Sequence, residues 1–325
     1  MRIGILGAAR IAPAALVQPA QALGDVEVAA IAARDRRRAQ AFASRYGVAS
    51  VLDSYEELVA DPSLDAVYVP SPNGLHAKWT LAAIEAGKHV LCEKPFTANA
   101  AQARDVAAAA AERAGVVVME AFHYRYHPLA HRMDEVVRGG ELGEIQRVET
   151  AMCFPLPRFS DIRYQFDLAG GALMDAGCYA VHCLRLLGPG EPTVTGARAR
   201  TLRRDRRVDR AMTARLRFPT GAVGKIHASM WSSTLLRIRA RVTGTRGTLA
   251  VSNFAVPRLP YRFTVTVDGK RRHERFDTEV TYVHQLRAFV GAVAGEPTNL
   301  TPPADSVATM SLIDDIYTAA GLSPR

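Results

Sequence analysis

Lysine is nearly missing from this chain, which holds 5 among its 41 basic residues. Arginine supplies the rest, so a lysine kept at a fixed place is not there merely as a cation: an amine titrates, and a guanidinium does not. Cysteine is scarce as well. Cys92, Cys153, Cys178 and Cys183 form no Cys-x-x-Cys pair, which leaves them as reduced thiols in a chain without export signals. No apolar run approaches the ~20 residues of a membrane span. The opening residues, MRIGILGAARIA, lack a polar cleavage region and read as a first strand instead of a signal peptide. A soluble, cytoplasmic protein is expected. Aromatics are few, and none interleaves the densest basic run, RARTLRRDRR at 198–207. The net charge of +9 is therefore scattered, and neither nucleic acid nor a membrane is expected as a partner.

What is present is enough material for two domains, 325 residues of which 48% are hydrophobic. Short apolar strands at 2–6, 26–32, 65–69, 88–92 and 116–119 alternate with helical stretches near 11–23, 36–46, 75–86 and 99–114. That alternation predicts βαβ units and a doubly wound parallel sheet of the Rossmann kind over 1–120. Beyond residue 121 the pattern changes. Helices are expected near 128–138 and 170–187, then strands between 193 and 276, then helices near 280–294 and 304–320. Residues 121–325 thus read as a second, substrate-binding and oligomerising domain with a large, mostly antiparallel open sheet flanked by helices. Its last helix is expected to pack back on the first domain. An apolar face on such a sheet would need a cover, so a homodimer or homotetramer through it is expected.

The first strand runs into GILGAARIA. Against Gly-x-Gly-x-x-Gly, Gly7 fits, while Ala9 and Ala12 stand at the second and third glycines. Gly7, Ala8, Ala9, Arg10 and Ile11 are the candidate cradle for a dinucleotide's pyrophosphate, at a helix N-terminus with free N–H groups. The second strand should end in an acid if the cofactor is NAD(H). It ends in Ala33 and Arg34 instead, which removes a carboxylate and adds a guanidinium for a 2′-phosphate. Arg34 is the expected first contact, helped by Arg37 or Arg38, and NADP(H) is preferred. Asp35, slightly late, keeps NAD(H) open.

Two further stretches carry chemistry. HVLCEKPF at 89–96 ends a strand in Glu93 and Lys94, at the carboxyl edge where a dinucleotide lies. GGALMDAGCYAVH at 170–182 sets Asp175 and Tyr179 four apart on one helical face, with His182 on the same stripe. Moving a hydride to or from a carbinol carbon also requires moving a proton on its oxygen, and a lysine beside a phenol favours the phenolate. Tyr179 aided by Lys94 is a candidate proton relay. His182 reads either as a donor to a substrate hydroxyl or as a satisfied core histidine. His123, His127 and His131 are four apart, but Pro128 interrupts them and no carboxylate or cysteine cluster accompanies them, so no metal is expected.

The stretch YVPSPNGLHAKWTLAAIEAGKHVLCEKPF resembles the Gfo/Idh/MocA oxidoreductases, with Pro72, Asn73, His76, Ala86, Gly87, Lys88, His89, Val90, Glu93, Lys94 and Pro95 matching. EAFHYRYHP at 120–128, the Gly170-Gly171 helix and GTRGTL at 244–249 follow in the family's order. The resemblance implies cofactor contacts from Ser71, Asn73, His76, Glu93 and Lys94. It implies catalysis by Lys94, Asp175 and Tyr179, with Arg125 and His182 beside the substrate. Tyrosine four after the aspartate is the variant of glucose-fructose oxidoreductase, dihydrodiol dehydrogenase and the aldose and keto-sugar members. The resulting expectation is an NADP(H)-dependent oxidoreductase of a sugar-like, polyhydroxy small molecule. The alternatives are a reductase or dehydrogenase of a non-sugar carbonyl, imine or dihydrodiol, and a protein that senses NADP without chemistry.

Overall fold

The structure is a computed structural model that describes every residue from 1 to 325 except residue 258. The chain divides into two compact units, Met1–Tyr126 with Val280–Val307, and His127–Glu279 with Ala308–Arg325. The sequence reading draws one cut, after residue 120; the observed division is discontinuous. The reason is apolar. Within 280–307, Leu286 and Phe289 are fully buried in the same core as Ile3, Ile5, Ile31, Tyr68, Leu91 and Met119.

In the first unit, β1 (Arg2–Leu6) leads through a π-helical turn, Pro13–Val17, into α1 (Gln18–Leu23). β2 (Glu27–Ala32) is followed by α2 (Arg36–Tyr46), β3 (Ser50–Leu52) and α3 (Tyr55–Ala60). Then come β4 (Ala66–Val69), α4 (His76–Glu85), β5 (His89–Cys92), α5 (Ala100–Glu112) and β6 (Val118–Glu120). All pairings are parallel, in the order β3-β2-β1-β4-β5-β6. The order reverses between β1 and β4, and ligands of open α/β sheets bind at the carboxyl ends of strands at such a switch point. Strands buried on both faces read as continuous apolar runs, which is why AVYV and HVLC were legible. The three-residue β3 and six-residue α3 were not assigned from the sequence.

In the second unit, α6 (Pro128–Arg138) precedes β7 (Ile145–Cys153), and α7 (Cys178–Leu187) precedes β8 (Thr193–Thr201). The meander β9 (Asp209–Arg217), β10 (Val223–Ser229), β11 (Arg237–Gly244), β12 (Gly247–Ser252), β13 (Arg262–Val267) and β14 (Lys270–Glu274) follows. The sheet order is β14-β13-β12-β11-β7-β10-β9-β8. Its pairings are antiparallel apart from β7 with β10. α8 (Thr281–Val293) belongs to the first unit, and α9 (Pro303–Ala319) runs from residues of the first into residues of the second. Among the described residues no helix is long and apolar enough to cross a membrane.

The sequence reading expected an apolar face of this sheet to be left open for a second copy. The apolar face, with Val148, Ile226, Ala240 and Val242, is buried, and α7 packs against β7, β10 and β11. Thr150 Oγ1 donates to the Ala180 carbonyl at 2.8 Å and ties β7 to α7. The opposite face presents the exposed Arg215, Lys225, Arg237, Arg239 and Arg241.

Candidate active site

The nucleotide half of the site is set by backbone geometry. Gly7 ends β1 with φ +117°, a conformation that side chains rarely adopt, and its N–H donates to the Ala32 carbonyl at 2.8 Å. Ala8 and Ala9 are half-buried, and Arg10 and Ile11 are exposed, ahead of the π turn. The exposed Arg38 reaches back from α2, its Nη2 donating to the Ala8 carbonyl at 3.0 Å. The structure thus brings Ala8 and Arg38 together, 30 residues apart. Asp35 is occupied otherwise. It is the N-cap of α2, its Oδ1 accepting the Arg37 and Arg38 N–H groups at 3.0 and 3.4 Å. Arg36 pairs with Asp53. Arg34 and Arg37 remain exposed beside the buried Ala33, with no ion pair among the described residues.

At the ends of β4 and β5 the sequence-predicted residues divide by what they touch. Ser71 is buried and its hydroxyl has no partner within the described residues. A buried orphan hydroxyl is costly unless a ligand or water completes it. Asn73 opens the short helical turn Asn73–Leu75. His76 faces the main chain with both ring nitrogens. It is buried, and its Nδ1 and Nε2 lie 2.7 Å from the carbonyls of Pro95 and Ser71. Kept neutral, the ring carries one N–H and donates to one of these two carbonyls, each of which lies in a loop that follows a strand. Burial holds its pKa down to about 4, against the two carbonyls, which favour the charged ring. Glu93 is buried and accepts the Tyr68 hydroxyl at 2.8 Å, and its other oxygen accepts the Lys94 N–H at 3.3 Å. Lys94 is half-buried, and the Lys94–Pro95 peptide is cis. Arg125 is half-buried in the helical turn His123–Tyr126. Cys92 is fully buried, which pushes its thiol pKa up and removes it as a nucleophile.

In the second unit, the helix expected from 170 begins as a π turn, Leu173–Gly177, and continues as α7. Such turns wind wider than an α-helix and recur at functional sites, and both α1 and α7 follow one. Asp175, Tyr179 and His182 are all buried. Gly170 and Gly171 are needed by close packing and backbone shape: a Cβ on Gly170 would meet the Arg163 and Gln165 carbonyl oxygens at 2.7 Å each, and Gly171 has φ +145°. A Gly171→Ala substitution should lower stability by about 1–3 kcal/mol from the backbone alone, seen as a reduced Tm in calorimetry. An unchanged Tm would mean that this turn can relax.

One residue was missed. Arg163 Nε lies 3.1 Å from Asp175 Oδ1, and its Nη1 lies 3.2 Å from Asp161 Oδ1. The Asp175 carboxylate, foremost, raises the Arg163 pKa. Arg163 holds the buried carboxylate in place through this ion pair. Nothing in its irregular segment signalled this, because the partner is set by the turn and not by periodicity. Of the three histidines weighed as ligands, His123 bonds Thr281 Oγ1 at 2.7 Å, and His127 lies 3.4 Å from Asp277, a carboxylate neighbour that the sequence reading does not find.

A glycine without room for strain, an orphan hydroxyl at the switch point and free arginines past β2 fit a bound dinucleotide. The comparisons agree. Residues 1–122 match the model of an oxidoreductase family with an NAD-binding Rossmann fold, and residues 130–250 match the GFO/IDH/MocA C-terminal domain. The chain is 41% identical to D-xylose 1-dehydrogenase (NADP(+)) 2 of Haloferax volcanii, over 98% of this chain and 97% of that protein. It is 34% identical to a dTDP-3,4-didehydro-2,6-dideoxy-alpha-D-glucose 3-reductase of Streptomyces antibioticus, again over 98% and 97%. A 3-ketoreductase from Actinomadura kijaniata, solved with NADP and TDP-benzene, has a TM-score of 0.89 at 32% identity, covering 98% of this chain and 97% of that one. The chain belongs to the Gfo/Idh/MocA oxidoreductase family.

Proposed function

We propose that this oxidoreductase uses NADP(H) to interconvert the hydroxyl and carbonyl of a sugar, with oxidation of an aldose by NADP+ as the leading reaction. The observation that carries the reading is full-length similarity to an NADP-dependent xylose dehydrogenase, in a chain that keeps Lys94, Asp175 and Tyr179. The nicotinamide, when bound, takes or gives the hydride. The chain's own residues do the rest. Gly7 to Ile11 with Ser71 hold the dinucleotide. Arg34 takes the 2′-phosphate. Tyr179 exchanges the proton of the reacting oxygen, and Lys94 favours its anionic form. Asp175, held by Arg163, and His182 bond the sugar's hydroxyls, with Arg125 at the nicotinamide end.

A second reading, reduction of a nucleotide-linked keto-sugar, is supported by the similarity to the dTDP-sugar 3-reductases. A panel assay separates the two. Aldoses with NADP+, and a dTDP-keto-sugar with NADPH, are followed by the cofactor's absorbance. Turnover of a pentose or hexose is expected. Turnover of the dTDP-keto-sugar alone would favour the second reading. Tight NADPH binding without turnover on either arm would sink both and leave a cofactor sensor.

A further inference from the structure

We infer that Asp209 and Arg325 are positioning residues for the proposed chemistry, fixing the start of the helix that carries Asp175 and Tyr179. Asp209 heads β9 and is fully buried. Its Oδ2 accepts the Leu173 N–H at 2.8 Å, one of the N–H groups that a helix start leaves without an intrahelical partner. Its Oδ1 accepts the Tyr317 hydroxyl and Arg325 Nη2, both at 2.8 Å. Arg325 is equally enclosed, both side chains of the pair having no exposure. Its Nε donates to the Gly170 carbonyl at 2.8 Å, and its guanidinium lies 4.0 Å above the Tyr317 ring and 5.1 Å from that of Phe166. A Cβ on Gly171 would meet the Tyr317 hydroxyl at 2.7 Å and Arg325 Nη2 at 2.9 Å.

These contacts converge on Gly170 to Leu173 and are passed on, because the Asp175 N–H donates to the Gly171 carbonyl at 3.0 Å. Stability alone gives little reason for such a construction. A buried ion pair is desolvated at a cost that well-packed apolar side chains avoid. What an apolar plug cannot do is hold a helix-start amide and a glycine carbonyl in fixed directions. A planar fork can serve a carboxylate and a carbonyl at once, and an ammonium on a flexible stem cannot hold that pair of directions.

The inference rests on the functional reading above, and the test separates the two. Arg325→Lys keeps the charge, and Tyr317→Phe, which removes only one hydroxyl, serves if the first variant folds poorly. In either variant kcat should fall, by about 10- to 100-fold for Arg325→Lys, with NADPH affinity unchanged. In a Tyr179→Phe background the further loss should nearly vanish, since both changes would disable one unit. Native kcat in both variants, or an undiminished further loss in that background, would overturn the inference. Failure of the functional reading shows separately, as full turnover in Tyr179→Phe alone. Amide exchange then decides for the pair by itself. Selectively faster exchange across 171–179 in Arg325→Lys supports it, and native exchange there overturns it.

Discussion

Lys94→Arg should cut turnover by about 10²–10⁴, the usual worth of general acid–base help, while NADPH binding survives. The substitution keeps the charge at the end of β5 and changes only its chemistry. A compact amine that can exchange a proton becomes a broad guanidinium that stays protonated. If Lys94 were a structural cation, arginine would serve, and this chain uses arginine for nearly all its other positive charges. Its surroundings argue against a replaceable surface charge. Lys94 is half-buried, follows the fully buried Cys92 and the buried Glu93, and precedes Pro95, whose carbonyl lies 2.7 Å from His76 Nδ1. Tyr179→Phe should lose a similar factor, since it removes one hydroxyl from a buried helix without altering its packing. The double variant should fall far short of the product of the two losses, because groups that act as one unit are not additive. Steady-state kinetics on a confirmed sugar decide the matter. Near-native turnover in Lys94→Arg would show that the amine has no part in proton transfer.

The parts of this site that were legible in the sequence are local. Gly7 at a strand end, the Glu93-Lys94-Pro95 stop and the Asp175–Tyr179 spacing each sit within one turn of the element that explains them. β7 was not assigned as a strand, although it lies at the centre of its sheet, parallel to β10 and antiparallel to β11. Its pattern mixes exposed and buried residues, and its position comes from partners 76 to 99 places onward. The supports of the helix that carries Asp175 and Tyr179 were hidden for the same reason. Arg163 sits in an irregular segment, and Asp209 and Arg325 are 116 residues apart. Nothing in the sequence around Arg325 marked its side chain as buried. The partners of His76 were not legible, because a motif shows which residue is present and not what its nitrogens face. The expected open apolar face failed because alternation tells which residues share a face, not which face a helix covers.

Arg34→Ala should weaken NADPH by about 10- to 150-fold, the equivalent of roughly 1.5–3 kcal/mol for a charge-assisted hydrogen bond, and leave NADH nearly untouched. The argument runs from local structure. β2 ends at Ala32, and the next residue, the buried Ala33, has no carboxylate to repel a 2′-phosphate or to bind a ribose hydroxyl. The nearest acid, Asp35, is engaged as the cap of α2, where moving it would free the N–H groups of Arg37 and Arg38. Of the arginines that follow, Arg36 is paired with Asp53 and Arg38 is tied to the Ala8 carbonyl. Arg34 and Arg37 are left as the guanidinia whose charge no neighbouring carboxylate offsets among the described residues. Arg37→Ala should therefore cost less than Arg34→Ala but act in the same direction, and Arg38→Ala should weaken both cofactors, because it loosens the turn that holds the pyrophosphate. Fluorescence titration of the unmutated protein and the three variants with NADPH and NADH reads all of this directly. Tighter binding of NADH than of NADPH by the unmutated protein, or equal losses for both cofactors in Arg34→Ala, would mean that the 2′-phosphate is not what Arg34 recognises.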